Sequence, residues 1–224
     1  MKKLMSIVML LAVTAALHAQ KSVTQFLGIP VDGTKSEMIR KLKAKGFESA
    51  PYDKEVLEGE FNGQDVMVYV VTNNNKVYRI MVADKNNIDE ANIRIRFNNL
   101  CDQFNNNPKY ESFENQTISE DEDISYEMGV HSKIYEAVFF QKSSSDSIEI
   151  INKAQAILSK KYTTEQLAYP TEEIKNDIFN AVKSVGSDIL FNKQVWFRIM
   201  ENYGKYYINM YYDNCYNQAD GSDL

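Results

Sequence analysis

The chain has 224 residues, 44% of them hydrophobic and 25% charged, with 25 Lys and Arg against 31 Asp and Glu for a formal net charge of −6. That balance, with no basic run, offers nucleic acid no footing, because phosphates demand clustered Lys and Arg, and it suits anionic membrane surfaces equally badly. The length fits one large domain or two small ones at about 100–200 residues each, which is enough to bury a sizeable core.

Residues 1–19 read as a secretory signal peptide. Lys2 and Lys3 precede an apolar run from Leu4 to Leu17, and small residues follow. The run is too short for a membrane-spanning helix. Cleavage is expected after Ala19, with the bond after Ala16 as the alternative. No cysteine follows the run, which argues against a lipid anchor there. Cleavage lowers Lys plus Arg from 25 to 23 against 31 acidic residues, a net charge of −8, and leaves His131 as the one histidine. The expected location is the periplasm, the cell surface or the medium. No second apolar stretch reaches spanning length, so no transmembrane segment is expected in the mature chain.

In "TKSEMIRKLKAK" (34–45), Thr34 and Glu37 form a capping-box pair ahead of a stripe of Met38, Ile39 and Leu42. Lysines crowd the last turn, and Gly46 stops the helix. "EVLEGEFNG" and "QDVMVYVVT" read as strands joined at Asn62-Gly63, a strong hairpin dipeptide. "KVYRIMVAD" follows a turn at Asn73-Asn74-Asn75. A second helix is predicted over 88–106, with Ile93, Phe97, Leu100, Cys101 and Phe104 on one stripe and Pro108 at its exit. "ISYEMGV" and "KIYEAVFFQ" read as a strand pair, and "SSSDS" (143–147) as a loop. A third helix is predicted over 148–161, bearing Ile150, Ile151, Ala154, Ile157 and Leu158. A fourth runs from Pro170 to about Ser184, bearing Ile174, Ile178, Phe179 and Val182. "QVWFRIM" and "KYYINMYYD" flank Asn202-Tyr203-Gly204 as a final hairpin.

A faint internal echo pairs "LGIP" (27–30) and a helix ending at Gly46 with "LAYP" (167–170) and a helix ending at Gly186, and the middle helix with its strand pair is a looser third instance. Helices thus alternate with hairpins, which favours an α+β fold over a parallel α/β one. The expected architecture is an antiparallel sheet built from hairpins, with helices packed on one face and repeated helix-plus-hairpin units. The expected organisation is a signal peptide (1–19), N-terminal α+β units (20–142), and helices with the C-terminal hairpin (143–224), the last packed with the N-terminal part as one or two small domains.

The residues that carry chemistry are sparse. His131 stands at an expected turn in "GVHSK", and any Ser/His/Asp or Cys/His arrangement would have to use it. There is no GxSxG elbow, and "GIPVDG" matches no phosphate-binding glycine pattern. The run "SEDEDISYE" gathers Glu120, Asp121, Glu122, Asp123 and Glu127, but without the ligand spacing of a calcium loop. The tail residues Asp213, Asn214, Asn217, Asp220 and Asp223 fit no ligand template and read as turn formers. No cofactor, metal or catalytic residue is expected. Cys101 and Cys215 either form a disulfide, worth about 4–5 kcal/mol across so long a loop, or stay as buried thiols.

Aromatics are the remaining signal. In the final hairpin Tyr206, Ile208, Met210 and Tyr212 share one strand face with Val195, Phe197 and Ile199, and this is the expected core face. The other face carries Trp196, Arg198, Tyr207 and Tyr211, beside Gln194, Met200 and Asn209. Trp, Tyr and Arg dominate protein-binding hot spots, and such rings also stack on sugars. These four residues form the candidate partner-binding face, expected to be exposed, unless tyrosine simply covers a half-buried sheet beneath a helix.

Three segments carry a resemblance: "FLGIPVDGTKSEMIRKLKAKGF", "EDISYEMGVHSKIYEAVFFQ" and the C-terminal "YGKYYINMYYDNCYNQADGSDL". In these the chain resembles exported proteins of Gram-negative gut anaerobes of the Bacteroides type, a likeness that implies location and no activity. The helix-then-sheet layout is also similar to small outer-membrane-assembly lipoproteins and beta-lactamase-inhibitor-like domains, which are interaction modules. The expected function is therefore a non-enzymatic extracytoplasmic binding module for an envelope protein or a glycan. The alternatives are a glycan- or peptide-directed hydrolase using a carboxylate pair and a carbohydrate-binding protein.

Overall fold

A computed structural model describes residues 22–219 and residue 221, so the expected signal peptide lies outside the described residues. In chain order the elements are β1 (Gln25–Phe26), β2 (Ile29–Pro30), α1 (Lys35–Lys43), β3 (Glu48–Ser49), β4 (Val56–Phe61), β5 (Gln64–Asn73), β6 (Lys76–Asp84) and α2 (Glu90–Asn105). They continue with β7 (Tyr110–Glu111), α3 (Ile124–His131), β8 (Glu136–Gln141), α4 (Asp146–Leu158), α5 (Thr164–Ala168), α6 (Glu172–Phe191), β9 (Gln194–Asn202), β10 (Lys205–Asp213) and a short 3-10 turn, Cys215–Asn217.

Local chemistry explains most of these boundaries. Thr34 and Glu37 close a reciprocal capping box at the start of α1, and Gly46 takes φ +101 beyond its end. Asp89 caps α2 by accepting from the Asn92 amide. Positive φ at Asn62-Gly63 and at Asn74-Asn75 turns β4 into β5 and β5 into β6. Tyr203 (φ 51) and Gly204 (φ 73) do the same between β9 and β10.

The chain forms two compact units: Ser143–Ile189 with Ser22, and Val23–Lys142 with Leu190–Leu224. The division between the units falls within 143–224. The final hairpin joins the larger unit because β10 pairs with β6 and β9 pairs with β8. The larger unit is an eight-stranded antiparallel sheet in the order β3-β4-β5-β6-β10-β9-β8-β7, beside the small β1-β2 ribbon. From its centre outward, the sheet runs 6-5-4-3 on one side and 10-9-8-7 on the other. It is thus two four-stranded meanders, each led by a helix, α1 or α2, with their last strands paired antiparallel. The repeat differs from the echo in the sequence. Its second copy starts at α2, and helix α6 runs through Gly186 to Phe191 instead of stopping there.

One face of this sheet is the core. Val66, Val68, Ile80, Val82, Phe197 and Ile208 are buried there, with Met38 and Leu42 of α1 and the Ile93, Phe97, Leu100, Cys101 and Phe104 stripe of α2. Phe104 stacks on Phe139 at 4.6 Å, and Phe97 meets Phe197 edge-on at 5.0 Å. A fully buried phenylalanine contributes about 1.5–3 kcal/mol. Tyr206 and Tyr212 also lie in this core. Cys101 and Cys215 are both free thiols, and burial pushes Cys101 up to about 12. Cys101 lies inside the α2 stripe with its Sγ donating toward the Gln116 carbonyl.

Gly59 of β4 is a close-approach glycine. A Cβ there would lie 2.7 Å from the Phe47 ring, which is itself buried. Gly59→Ala is expected to cost about 1–3 kcal/mol by overpacking, although alanine normally favours a strand over glycine. Urea denaturation of the two proteins checks this, and an unchanged or raised midpoint would refute the tight packing.

Three local expectations are corrected. "ISYEMGV" is not a strand but most of α3. Asp123 accepts from the Tyr126 amide, and the Glu90 carboxylate accepts from the Ile124 amide, so capping from two sides nucleates a helix. Helix α5, absent from the predicted elements, arises from a second capping box, Thr163 with Gln166. In the smaller unit Ala154, Leu158, Ile174, Val185 and Ile189 are buried, whereas Ile151, Ile157, Phe179 and Val182 of the expected stripes are exposed. Within that unit Lys161 and the Tyr162 hydroxyl both bond the Asp177 carboxylate, at 2.5 and 2.6 Å.

Candidate functional site

Strand alternation sends Trp196, Arg198 and Met200 of β9, and Tyr207, Asn209, Tyr211 and Asp213 of β10, to the face opposite the core. Pairing with β6 and β5 adds Arg79, Met81, Met67 and Tyr69 to the same face. All four candidate residues, Trp196, Arg198, Tyr207 and Tyr211, are therefore brought together. Their exposure differs from the expectation. Trp196, Arg198 and Tyr207 are half-buried, and Tyr211 retains only 6% exposure.

The burial of Tyr211 follows from its neighbours. Its cross-strand partners are Trp196 on one side and Met81 on the other, both large. Its ring stacks on Trp196 at 4.0 Å with an 18° interplanar angle. The Arg79 guanidinium sits 4.9 Å from the Tyr211 ring and 5.4 Å from that of Trp196. Such cation–π contacts are worth about 0.5–2 kcal/mol each. Tyr211 is therefore a support for the face and not a contact residue on it.

Asp213 anchors this group. Arg79 Nε and Nη2 donate to its two carboxylate oxygens at 2.6 and 2.7 Å, and Trp196 Nε1 donates at 2.9 Å. Asp213 is 2% exposed, so three donors offset a carboxylate removed from water. The same bonds hold the Arg79 guanidinium above its ordinary pKa. Along the face, the Tyr52 and Tyr69 hydroxyls converge on the Met67 sulphur at 3.2 and 3.5 Å. Met67, Tyr69, Arg79 and Met81 were missed as face residues. The alternation in "QDVMVYVVT" and "KVYRIMVAD" places each on one side of its strand, but nothing local says that β6 lies beside β10.

The other sequence candidates are tied into structure. His131 ends α3 rather than a strand turn; its Nδ1 lies 2.9 Å from Glu127, and its ring meets Tyr126 edge-on. No serine or cysteine among the described residues is bonded to it. In the acid run Asp123 is a helix cap, Asp121 accepts from Ser119, and Glu122 accepts from Lys133 and Tyr135. Lys133, then Tyr135, hold the Glu122 carboxyl below its ordinary range. In the tail, Asn214 donates to the Val31 carbonyl at 2.8 Å and Asn217 to that of Val77 at 2.8 Å, so these side chains hold the turn after β10, while Asp220 and Asp223 lie outside the described residues. Among the described residues no group of three or more His, Cys, Asp or Glu is placed to hold a metal ion. No described helix is long and apolar enough to cross a membrane.

Neither a protein-family model, nor a curated protein, nor a solved structure matches this chain. What the fold and the face define is a mixed α+β protein whose antiparallel sheet covers its core on one side and presents aromatic, methionine and arginine side chains on the other.

Proposed function

We propose that the protein is an extracytoplasmic, non-enzymatic binding module whose partner, an envelope protein or a glycan, docks on the sheet face of Trp196, Arg198 and Tyr207. The observation that carries this reading is the pre-ordered side-chain set around Asp213. Trp196 is held by its own hydrogen bond and by the Tyr211 stack, so little rotamer freedom is left to lose on binding. Trp, Tyr and Arg are the residue types that anchor protein interfaces, and the neighbouring Met67 and Met81 add adaptable apolar surface. The exported location rests on the leader-like residues 1–19 and on the resemblance to exported proteins of gut anaerobes.

The test is affinity capture from envelope extract with the wild type and with a Tyr207→Ala/Arg198→Ala variant, read by mass spectrometry. One envelope protein enriched by the wild type and lost from the variant is the expected result. Equal recovery by both proteins would remove the face from consideration. Retention of the wild type on glycan resin alone would assign the face to carbohydrate.

A further inference from the structure

A second feature lies at the sheet edge and is independent of that face. Strand β8 bonds to β9 through Tyr135, Ala137, Phe139 and Gln141; the Ile199 amide donates to the Tyr135 carbonyl at 3.0 Å and the Gln141 amide to that of Lys193 at 2.9 Å. In an antiparallel pair the intervening residues turn their main-chain groups the other way. Phe140 meets Glu111 of β7 there. Val138 meets a side chain instead: Gln116 Nε2 donates to its carbonyl at 2.9 Å, and its amide donates to Gln116 Oε1 at 2.5 Å. The Gln116 carboxamide thus stands where the next strand residue would be. One step further along, Glu136 turns its amide and carbonyl to the same side, where none of the described strands pairs with it.

The opposite wall is the segment Thr117–Ser119. It is held in place because Asn98 bonds both the amide and the carbonyl of Ile118, each at 2.8 Å. Between the walls runs a cleft of about 300 Å³ with Phe97, Ile118 and Tyr135 among its lining residues. Ile134 lines it while remaining 62% exposed, and Glu122 and Lys133 flank it. The adjoining run Glu120–Asp123 brings carboxylates to this edge, of which Glu122 is paired with Lys133.

A strand edge left open beside a cleft of mixed apolar and polar lining is a template for a main-chain partner. An extended backbone supplies donor and acceptor in alternation and sends every second side chain to one side. We propose that the cleft takes an extended segment of a partner protein, added as a short strand along β8 at Glu136. The segment would place an apolar side chain against the exposed Ile134, with a Lys or Arg toward the exposed Glu120 and Asp121. The charge preference follows from the local acid run and from the net charge of −6.

The probe is a phage-displayed library of linear peptides panned on the whole protein. Enrichment of an apolar residue flanked by Lys or Arg is expected, with the Glu136 amide gaining protection from hydrogen exchange when a selected peptide is bound. Ile134→Glu, a substitution at an exposed position, and Glu136→Pro, which removes the donor at an edge where proline is tolerated, should each weaken that binding by at least about tenfold. Tyr207→Ala should leave it unchanged, so failure here is separable from failure of the sheet-face reading. Failure to select a peptide, or binding indifferent to both cleft variants, overturns the proposal. Self-association abolished by Ile134→Glu also overturns it, by giving the cleft to a second copy of the chain.

Discussion

Arg79→Ala is expected to lower the stability of the protein by about 3–5 kcal/mol, the usual cost of breaking a buried ion pair from one side. The loss arises at Asp213, not at the arginine. The Arg79 side chain is 25% exposed, whereas that of Asp213 is 3% exposed and would keep Trp196 Nε1 as its only side-chain donor. The carboxylate loses two of its donors at a buried position, and the guanidinium that packed on Trp196 and Tyr211 is gone. Arg79→Lys should fall between the two, because a point charge cannot reproduce the two parallel bonds of the guanidinium fork. Replacing both partners, Arg79→Met with Asp213→Leu, should recover part of the loss, since no charge is then buried. Chemical denaturation of the four proteins gives the comparison. A loss below about 1 kcal/mol for Arg79→Ala would mean that Asp213 rehydrates freely.

Phe197→Ala is expected to cost about 3–5 kcal/mol as well, through a different mechanism. Phe197 is 0% exposed and lies among Phe97, Phe104 and Phe139, whose rings are fixed by α2 and β8 and cannot collapse into the space left behind. Arg198, the next residue on the same strand, points to the other face, so Arg198→Ala should have a much smaller effect on stability. Equal effects at the two positions would contradict the assignment of the faces. The denaturant midpoint reads the difference directly, provided the slope is unchanged.

Much of the larger unit is legible in the amino-acid sequence. The Thr34–Glu37 capping box, the α2 stripe and the Asn62-Gly63 turn are local signals, complete within a few residues. The split of the final hairpin into two faces follows from the alternation of side chains along a strand. One failure is local, since the Thr163–Gln166 capping box of α5 lies within four residues; the others depend on distant partners. Residues 124–131 contain strand-compatible types, yet Glu90, distant in sequence, helps cap them as a helix. The stripes of α4 and α6 are amphipathic in sequence, but periodicity does not say whether an apolar face finds a partner. Ile157 and Phe179 remain exposed.

The candidate site is half legible in the same way. Trp196, Arg198, Tyr207 and Tyr211 share a face, as alternation requires. That Tyr211 is buried while Tyr207 is not depends on which strand lies across from each. Tyr211 meets Met81 of β6, whereas Tyr207 extends past the β6 pairing that begins at Asn209. The Arg79–Asp213 pair joins positions 134 residues apart.

By itself, then, the amino-acid sequence determined the class of the fold, helices α1 and α2, the hairpin turn positions and the side of each strand on which a residue sits. All of these depend on interactions within one helical turn or along one strand. Only the tertiary structure decided the order of the strands, the two mirrored meanders, the burial of Tyr211 and Asp213, and the open main chain at Glu136. These depend on which distant segment arrives as a neighbour, and such pairings are selected by the packing of the whole core.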